Sequence, residues 1–324
     1  MSTRAYSFSV LGNAVVDGIA HVADSVLEQF SLHKGDSNTL SHAQMMELSN
    51  AVIVEQFRAG GAGANTAYTL AKLGSRVAFL GQIGNDPTGR FFVEDMLSAG
   101  VTLTPAVSTA RTTDIFTLLS ADGVRTMVQC LPPQPSSDDS WVDDQLIEQS
   151  HHLVLEAYMI GSHPAAADYA AKTARAAQTK LVVTLASPRA VQACLAELTD
   201  IVLAHKPLII GNEHEWEVLT QGNDSRTATK LSQLERVITR SGNGAAYYAA
   251  DGGAVVDSPT QPIPSPMDLS GAGDAFAAGF LHVFTGGGSP QLALQQGHQL
   301  GRAVVLQLGP RLMSFPSVDV PHSD

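Results

Sequence analysis

Short apolar runs of strand length alternate with segments of helical periodicity along most of this chain, and that rhythm restricts the fold more than any other feature. Residues 6–12 (YSFSVLG), 76–81, 152–156, 181–185, 208–211, 236–239 and 246–250 read as strands. A helix opens at Gly60-Gly61-Ala62-Gly63, with Ala64, Ala67, Tyr68 and Ala71 on one apolar face and Gly74 as its stop. Further helices are expected over 91–99, near 165–178, along a stripe of Val191, Cys194, Leu195, Leu198, Ile201 and Val202, and roughly over 271–285 and 290–307. Strands alternating with helices predict a mostly parallel central sheet covered on both faces, a three-layer α/β/α domain.

Two stretches break the rhythm. The polar β segments near 14–58 and 110–131 fit a small lid sheet beside the main domain, with a β-like piece over 51–57 and a hairpin of 116–120 and 125–130 around Ala121-Asp122-Gly123-Val124. Residues 132–140 (PPQPSSDDS) have the composition of a surface loop. No internal repeat is present, and 1–324 is read as a single domain.

Charge and cysteine content narrow the partners. The formal net charge of −12 argues against a nucleic-acid or anionic-membrane surface, which needs a basic stripe. It leaves room for phosphate, because one helix N-terminus and a few local groups bind an anion in an acidic protein. Cys130 and Cys194 are far apart and make neither a metal spacing nor a disulfide framework, so a reduced cytoplasmic setting is expected. No signal peptide and no run long enough to span a membrane is apparent.

The segment richest in chemistry is Asp268-Leu269-Ser270-Gly271-Ala272-Gly273-Asp274, followed by AFAAGFLHVF. Small residues at a helix start let backbone N–H groups approach an anion, and the helix dipole favours negative charge there. A carboxylate in the first turn, Asp274, is suited to accept a proton from an attacking hydroxyl. Taken alone, the same residues also describe an ordinary helix start with glycines for packing. The chain has no Walker A loop and no Rossmann glycine fingerprint.

The run DLSGAGDAFAAGF resembles the C-terminal signature of the ribokinase/PfkB carbohydrate kinase family, and GGAGANTAYTLAKLGSRVAFLGQIGNDPTGRFF resembles its N-terminal signature. The two lie in the expected order. The segments at Gly12–Asp17, Leu155–Tyr158, Gly211–Glu215 and Leu308-Gly309-Pro310-Arg311 are similar to an adenosine-kinase-like branch. The resemblance implies a ribokinase-like fold, ATP and Mg²⁺ as cofactors, and phosphorylation of a primary hydroxyl on a nucleoside or sugar.

Site residues follow from the same resemblance. Asp274 is expected to be the general base, with the amides of Gly271, Ala272 and Gly273 as the anion hole. Asn212 and Glu215 match the motif that organises Mg²⁺ through water. Asp17 matches the carboxylate that holds a vicinal diol, and Asn13, Gly60, Gly61 and Asn65 match further substrate contacts. Thr239, Ser241, Gly242 and Gly244 match the nucleotide-lining segment. Asp268 and Ser270 fall where many members hold a monovalent cation such as K⁺, although Leu269 replaces the usual threonine and Asn243 stands where lysine or glutamate is common.

Leu131, Tyr158 and Met159 match the wall that packs the base, which favours adenosine, while Pro132-Pro133 departs from the small residues usual there. The alternatives are a sugar kinase of ribokinase or fructokinase type, or a catalytically idle kinase-like binding protein. A monomer or a homodimer is expected.

Overall fold

The computed structural model describes residues 4–103, 105–108, 112–130 and 138–315. Its main sheet has nine strands, in the order Val255–Ser258, Ala245–Tyr248, Arg236–Thr239, Leu208–Asn212, Lys180–Thr184, Ser150–Glu156, Tyr6–Leu11, Val77–Leu80 and Thr102–Leu103. All neighbours from Arg236–Thr239 to Thr102–Leu103 are parallel, and the two strands at the opposite edge join antiparallel.

Register explains why these strands are apolar throughout. Val10, Val154 and Val182 are aligned across three strands and face one core, which also contains Phe8, Phe79 and Phe280. Their chain neighbours Leu11, Leu155 and Val183 are aligned likewise and face a second core with Ile160, Ala170 and Leu198. A strand with both faces covered buries consecutive residues, so its sequence is a continuous apolar run instead of an alternating one.

A second, five-stranded sheet has the order Ser37–Leu40, Arg125–Cys130, Thr113–Ser120, Val15–Val22 and Gln56–Gly60. One face carries its own small core of Ala20, Leu27, Phe30, Leu48, Phe116, Leu118 and Val128. The period of two sends alternate residues to the other face. There Arg58, Asp17, Ile115 and Gln129 form a row by register, and Arg125 lies on the same face four residues before Gln129.

Three local expectations are corrected. The β-like piece over 51–57 is the end of a helix, His42–Ala51, followed by a strand that begins only at Gln56. A reciprocal capping box between Ser41 and Gln44 starts that helix, a signal carried by two polar residues and not by apolar periodicity. The stripe over 190–204 is two helices, Pro188–Ala193 and Leu195–His205, because Cys194 leaves helical dihedrals at φ −125° and ψ 30°. The helix Ala62–Lys72 has no single apolar face: Ala64, Asn65, Thr66, Ala67, Thr69 and Leu70 are all buried, whereas Tyr68 and Ala71 are only partly so. Among the described residues no helix is long and apolar enough to cross a membrane.

Candidate active site

Parallel strands deliver their carboxyl ends to one edge of the main sheet, where ligands of open α/β folds bind. Leu11, Glu156, Asn212 and Thr239 are the last residues of four such strands, and Asn212 is the register partner of Thr239. Asn13, Tyr158, Glu215 and Ser241 therefore follow at that edge. The polar face of the second sheet lies over it, tied by an ion pair from Arg125 to Asp268 and by Arg58 Nη1 donating to the Leu308 carbonyl at 2.6 Å.

The helix Ala272–Thr285 starts at this edge. Its N-cap, Gly271, is left-handed at φ 74°, and a Cβ there would lie 2.6 Å from Pro310 Cα. Such a turn points consecutive N–H groups into one concavity, and the first amides of a helix have no partner within it. A Cβ on Gly273 would meet no atom within 4 Å, so the nest opens onto free space.

Asp274, in the first turn, accepts a hydrogen bond from Asn65 Nδ2 at 3.0 Å on its Oδ2. Its side chain is partly buried and keeps some surface open. Burial raises its carboxyl to a pKa of about 6, against the opposing pull of Asn65 and Arg311. That value suits a base that must be ionised near neutral pH yet bind a proton readily.

Asp17 sits so close to Gly60 that a Cβ on Gly60 would collide with its Oδ2. Burial raises its pKa to about 6, opposed chiefly by Arg125 and Arg311. Gly61, at φ 94°, passes Asn13 so closely that a Cβ would lie 2.5 Å from the Asn13 carbonyl oxygen. Asn13 in turn donates its backbone N–H to Glu156 Oε1 at 3.3 Å and accepts from Ser162 Oγ at 3.1 Å. Asp17 with Gly60, Asn13 with Gly61, and Asn65 with Asp274 thus lie together at this edge.

Asn212 and Glu215 form a reciprocal capping box at the start of the helix Glu213–Gln221. Asn212 donates from its backbone to Glu215 Oε2 at 2.8 Å and from Nδ2 to Oε1 at 2.6 Å. Burial raises the Glu215 carboxyl, and the charge of Asp274 adds to the rise. Each Glu215 oxygen keeps a further lone pair, so the carboxylate fits Mg²⁺ held directly or through water. Among the described residues no group of three or more His, Cys, Asp or Glu side chains forms a metal cluster. Thr239 ends the Arg236–Thr239 strand, and Ser241, Gly242 and Gly244 make the turn after it, with Ser241 and Gly244 both at positive φ.

One expectation needs correction and one falls outside the described residues. Asp268, expected beside a monovalent cation with Ser270, is paired with a guanidinium. Its Oδ1 accepts from Arg125 and from the Ser270 amide at 2.9 Å, and its Oδ2 from the Gly309 amide at 2.9 Å. Burial raises this carboxyl, but those donors outweigh it and hold the pKa below the usual range. Met159 is only 1% exposed and packs in the second core, so it presents no wall to a ligand. Tyr158, by contrast, is 45% exposed, and its hydroxyl donates to Ser187 Oγ at 2.8 Å. Leu131 and Pro132-Pro133 lie outside the described residues.

Sequence reading gave no role to three residues that the fold brings here. Arg125 pairs from the second sheet with Asp268, three residues before Gly271. Glu156 is buried at the end of its strand, with Oε2 unpartnered; burial, helped by the charge of Asp274, raises its pKa to about 8. Arg311 is only 4% exposed. The available signals were the turn before Arg125 and the Gly-Pro-Arg run, neither of which reveals burial.

A family model described as pfkB family carbohydrate kinase matches residues 37–317. The crystal structure of adenosine kinase from Sinorhizobium meliloti superimposes with a TM-score of 0.81 at 27% identity, covering 96% of this chain and 97% of that one. Adenosine kinase of Schizosaccharomyces pombe is 23% identical over 330 residues, 93% of this chain and 95% of that protein. Ribokinase of Bacillus subtilis is 25% identical over 255 residues, 77% of this chain and 82% of that protein.

Proposed function

The chain belongs to the pfkB family of carbohydrate kinases, and from that premise we propose that it transfers the γ-phosphoryl group of ATP to the 5′ hydroxyl of adenosine. The observation that carries this reading is the pairing of a left-handed glycine nest, open at Gly273, with Asp274 in the same helical turn. Likeness to the Sinorhizobium meliloti and Schizosaccharomyces pombe adenosine kinases supports the nucleoside as acceptor.

Asp17 accepts from the vicinal ribose hydroxyls, with Asn13, Gly60, Gly61 and Asn65 around the sugar. Tyr158, exposed at the rim, offers an aromatic face to the base. Asp274 takes the proton from the attacking hydroxyl, and the amides of Gly271, Ala272 and Gly273 hold the charge on the migrating phosphoryl group. Thr239, Ser241, Gly242 and Gly244 line the nucleotide. Arg125 neutralises Asp268 and so removes a negative charge that would otherwise repel the phosphates near the nest. Asn212 and Glu215 would hold the water shell of Mg²⁺, which when bound neutralises triphosphate charge.

A coupled assay of ATP consumption with adenosine, inosine, guanosine, ribose and fructose tests the acceptor. Adenosine is expected to exceed ribose in kcat/KM by ~100-fold, about 2.7 kcal/mol. Equal or better turnover of ribose would overturn the nucleoside assignment in favour of a sugar kinase. No ATP consumption with any acceptor would mark an idle binding protein.

A further inference from the structure

We propose that Arg311 is a positioning residue for the reaction: acting through Asn65, it fixes the orientation and ionised state of the Asp274 carboxylate. The inference rests on the base role proposed above for Asp274.

The relay is continuous. Arg311 Nε donates to Asn65 Oδ1 at 3.0 Å, and Asn65 Nδ2 donates to Asp274 Oδ2 at 3.0 Å. A guanidinium has donors only, whereas an amide side chain has one accepting end and one donating end. Arg311 therefore commits Asn65 to present its oxygen on one side and its amino group on the other. That amino group meets Asp274 and favours the carboxylate over the acid. It also engages Oδ2, so the attacking hydroxyl is received on Oδ1. An amide released from Arg311 is free to turn and accept from a protonated Asp274, which stabilises the wrong state of the base.

Arg311 is itself held on several sides. It is paired with Asp95 of the helix Pro87–Ser98, its Nη2 lies 3.4 Å from Met96 Sδ, and its guanidinium stands 4.7 Å from the centre of the Tyr68 ring. A group packed this way has little freedom to re-aim, which a positioning role requires. Burying a guanidinium is costly, and an apolar side chain would anchor the 306–315 segment without that cost. The directional contact to Asn65 is what an apolar anchor would lack.

Other charged and titratable groups set the field at Asp274. Glu156, Glu215 and Tyr158, from the strand-end elements, each interact electrostatically with it, and Asp17 and Asp95 act on Arg311. Arg311 counters the burial that raises Asp274. Its removal should move the base further upward.

The test compares Arg311→Gln, Arg311→Lys and Asp274→Asn with the natural chain, measuring kcat and both KM values from about pH 5 to about pH 9. Thermal denaturation monitors folding. For Arg311→Gln, kcat is expected to fall ~100-fold with KM for ATP changed by less than about twofold, and the acidic limb of kcat to move up by about one pH unit. Arg311→Lys keeps the charge but not the fork, and should lose roughly tenfold with a smaller shift in the same direction.

A folded Arg311→Gln enzyme whose acidic limb stays in place, whatever its melting temperature, would reduce Arg311 to a structural staple and overturn the relay. If Arg311→Gln does not fold, the limb of Arg311→Lys decides in the same way. Normal turnover by Asp274→Asn would remove the premise itself, and with it the relay. A dead Asp274→Asn enzyme with unshifted Arg311 variants refutes only the relay.

Discussion

Asp274→Asn is expected to lower kcat by about 10³- to 10⁴-fold while leaving the chain folded and able to bind ATP. Asparagine keeps the shape and the contact with Asn65 but cannot take a proton. Because the pKa of Asp274 is raised to about 6, turnover by the natural chain should fall as pH drops below that value. Stability carries the opposite signature. An aspartate with a raised folded-state pKa disfavours the folded state once ionised, so the penalty is absent below the unfolded value near 4, grows between there and 6, and is full above 6. Asp274→Asn should therefore melt at a higher temperature than the natural chain at pH 8, and the gain should vanish near pH 4. Undiminished turnover in steady-state assays, or a destabilised variant at pH 8, would count against a buried base.

Gly271→Ala should lower kcat by about 10²- to 10³-fold, the usual effect of spoiling an oxyanion-type donor set. It should also destabilise the fold. The left-handed conformation at φ 74° costs an L-residue roughly 1–2 kcal/mol, and the added methyl would strike the Pro310 backbone as well. Gly273→Ala is the matched control, because its methyl would meet no atom within 4 Å. That variant should keep the natural melting temperature and lose activity only by filling the nest. Thermal melts beside kcat for both variants separate the two effects. A Gly271→Ala enzyme within tenfold of the natural rate would sink the anion-hole role.

The main sheet was readable from the chain because two-sided burial leaves uninterrupted apolar runs, as at Val154 and Leu155 or Val182 and Val183. The start of the Ala272–Thr285 helix was readable for a different reason: small residues that free the first amides and an acidic first turn are local marks of a helix N-terminus. What escaped was non-local. Asn65 and Asp274 are 209 positions apart, and Arg311 and Asn65 are 246 apart. No periodicity reports such a contact. The helix His42–Ala51 hid behind its capping box, and Met159 faces inward where an aromatic neighbour, Tyr158, faces out. Asp268 was read from its motif alone, and the guanidinium that neutralises it comes from a strand 143 positions away.

The separate core of the second sheet has a consequence for how such an enzyme diversifies. Phe30, Leu48, Phe116 and Leu118 secure that sheet from behind, so the polar residues on its front contribute little to holding it together. Under the proposed function, replacements at Ile115 and Gln129 can retune which alcohol is admitted while Arg58 and Arg125 keep the sheet tied to the segments around the glycine turn. Selectivity and chemistry are in this sense inherited separately, and a lineage can explore new acceptors while its transfer machinery stands still.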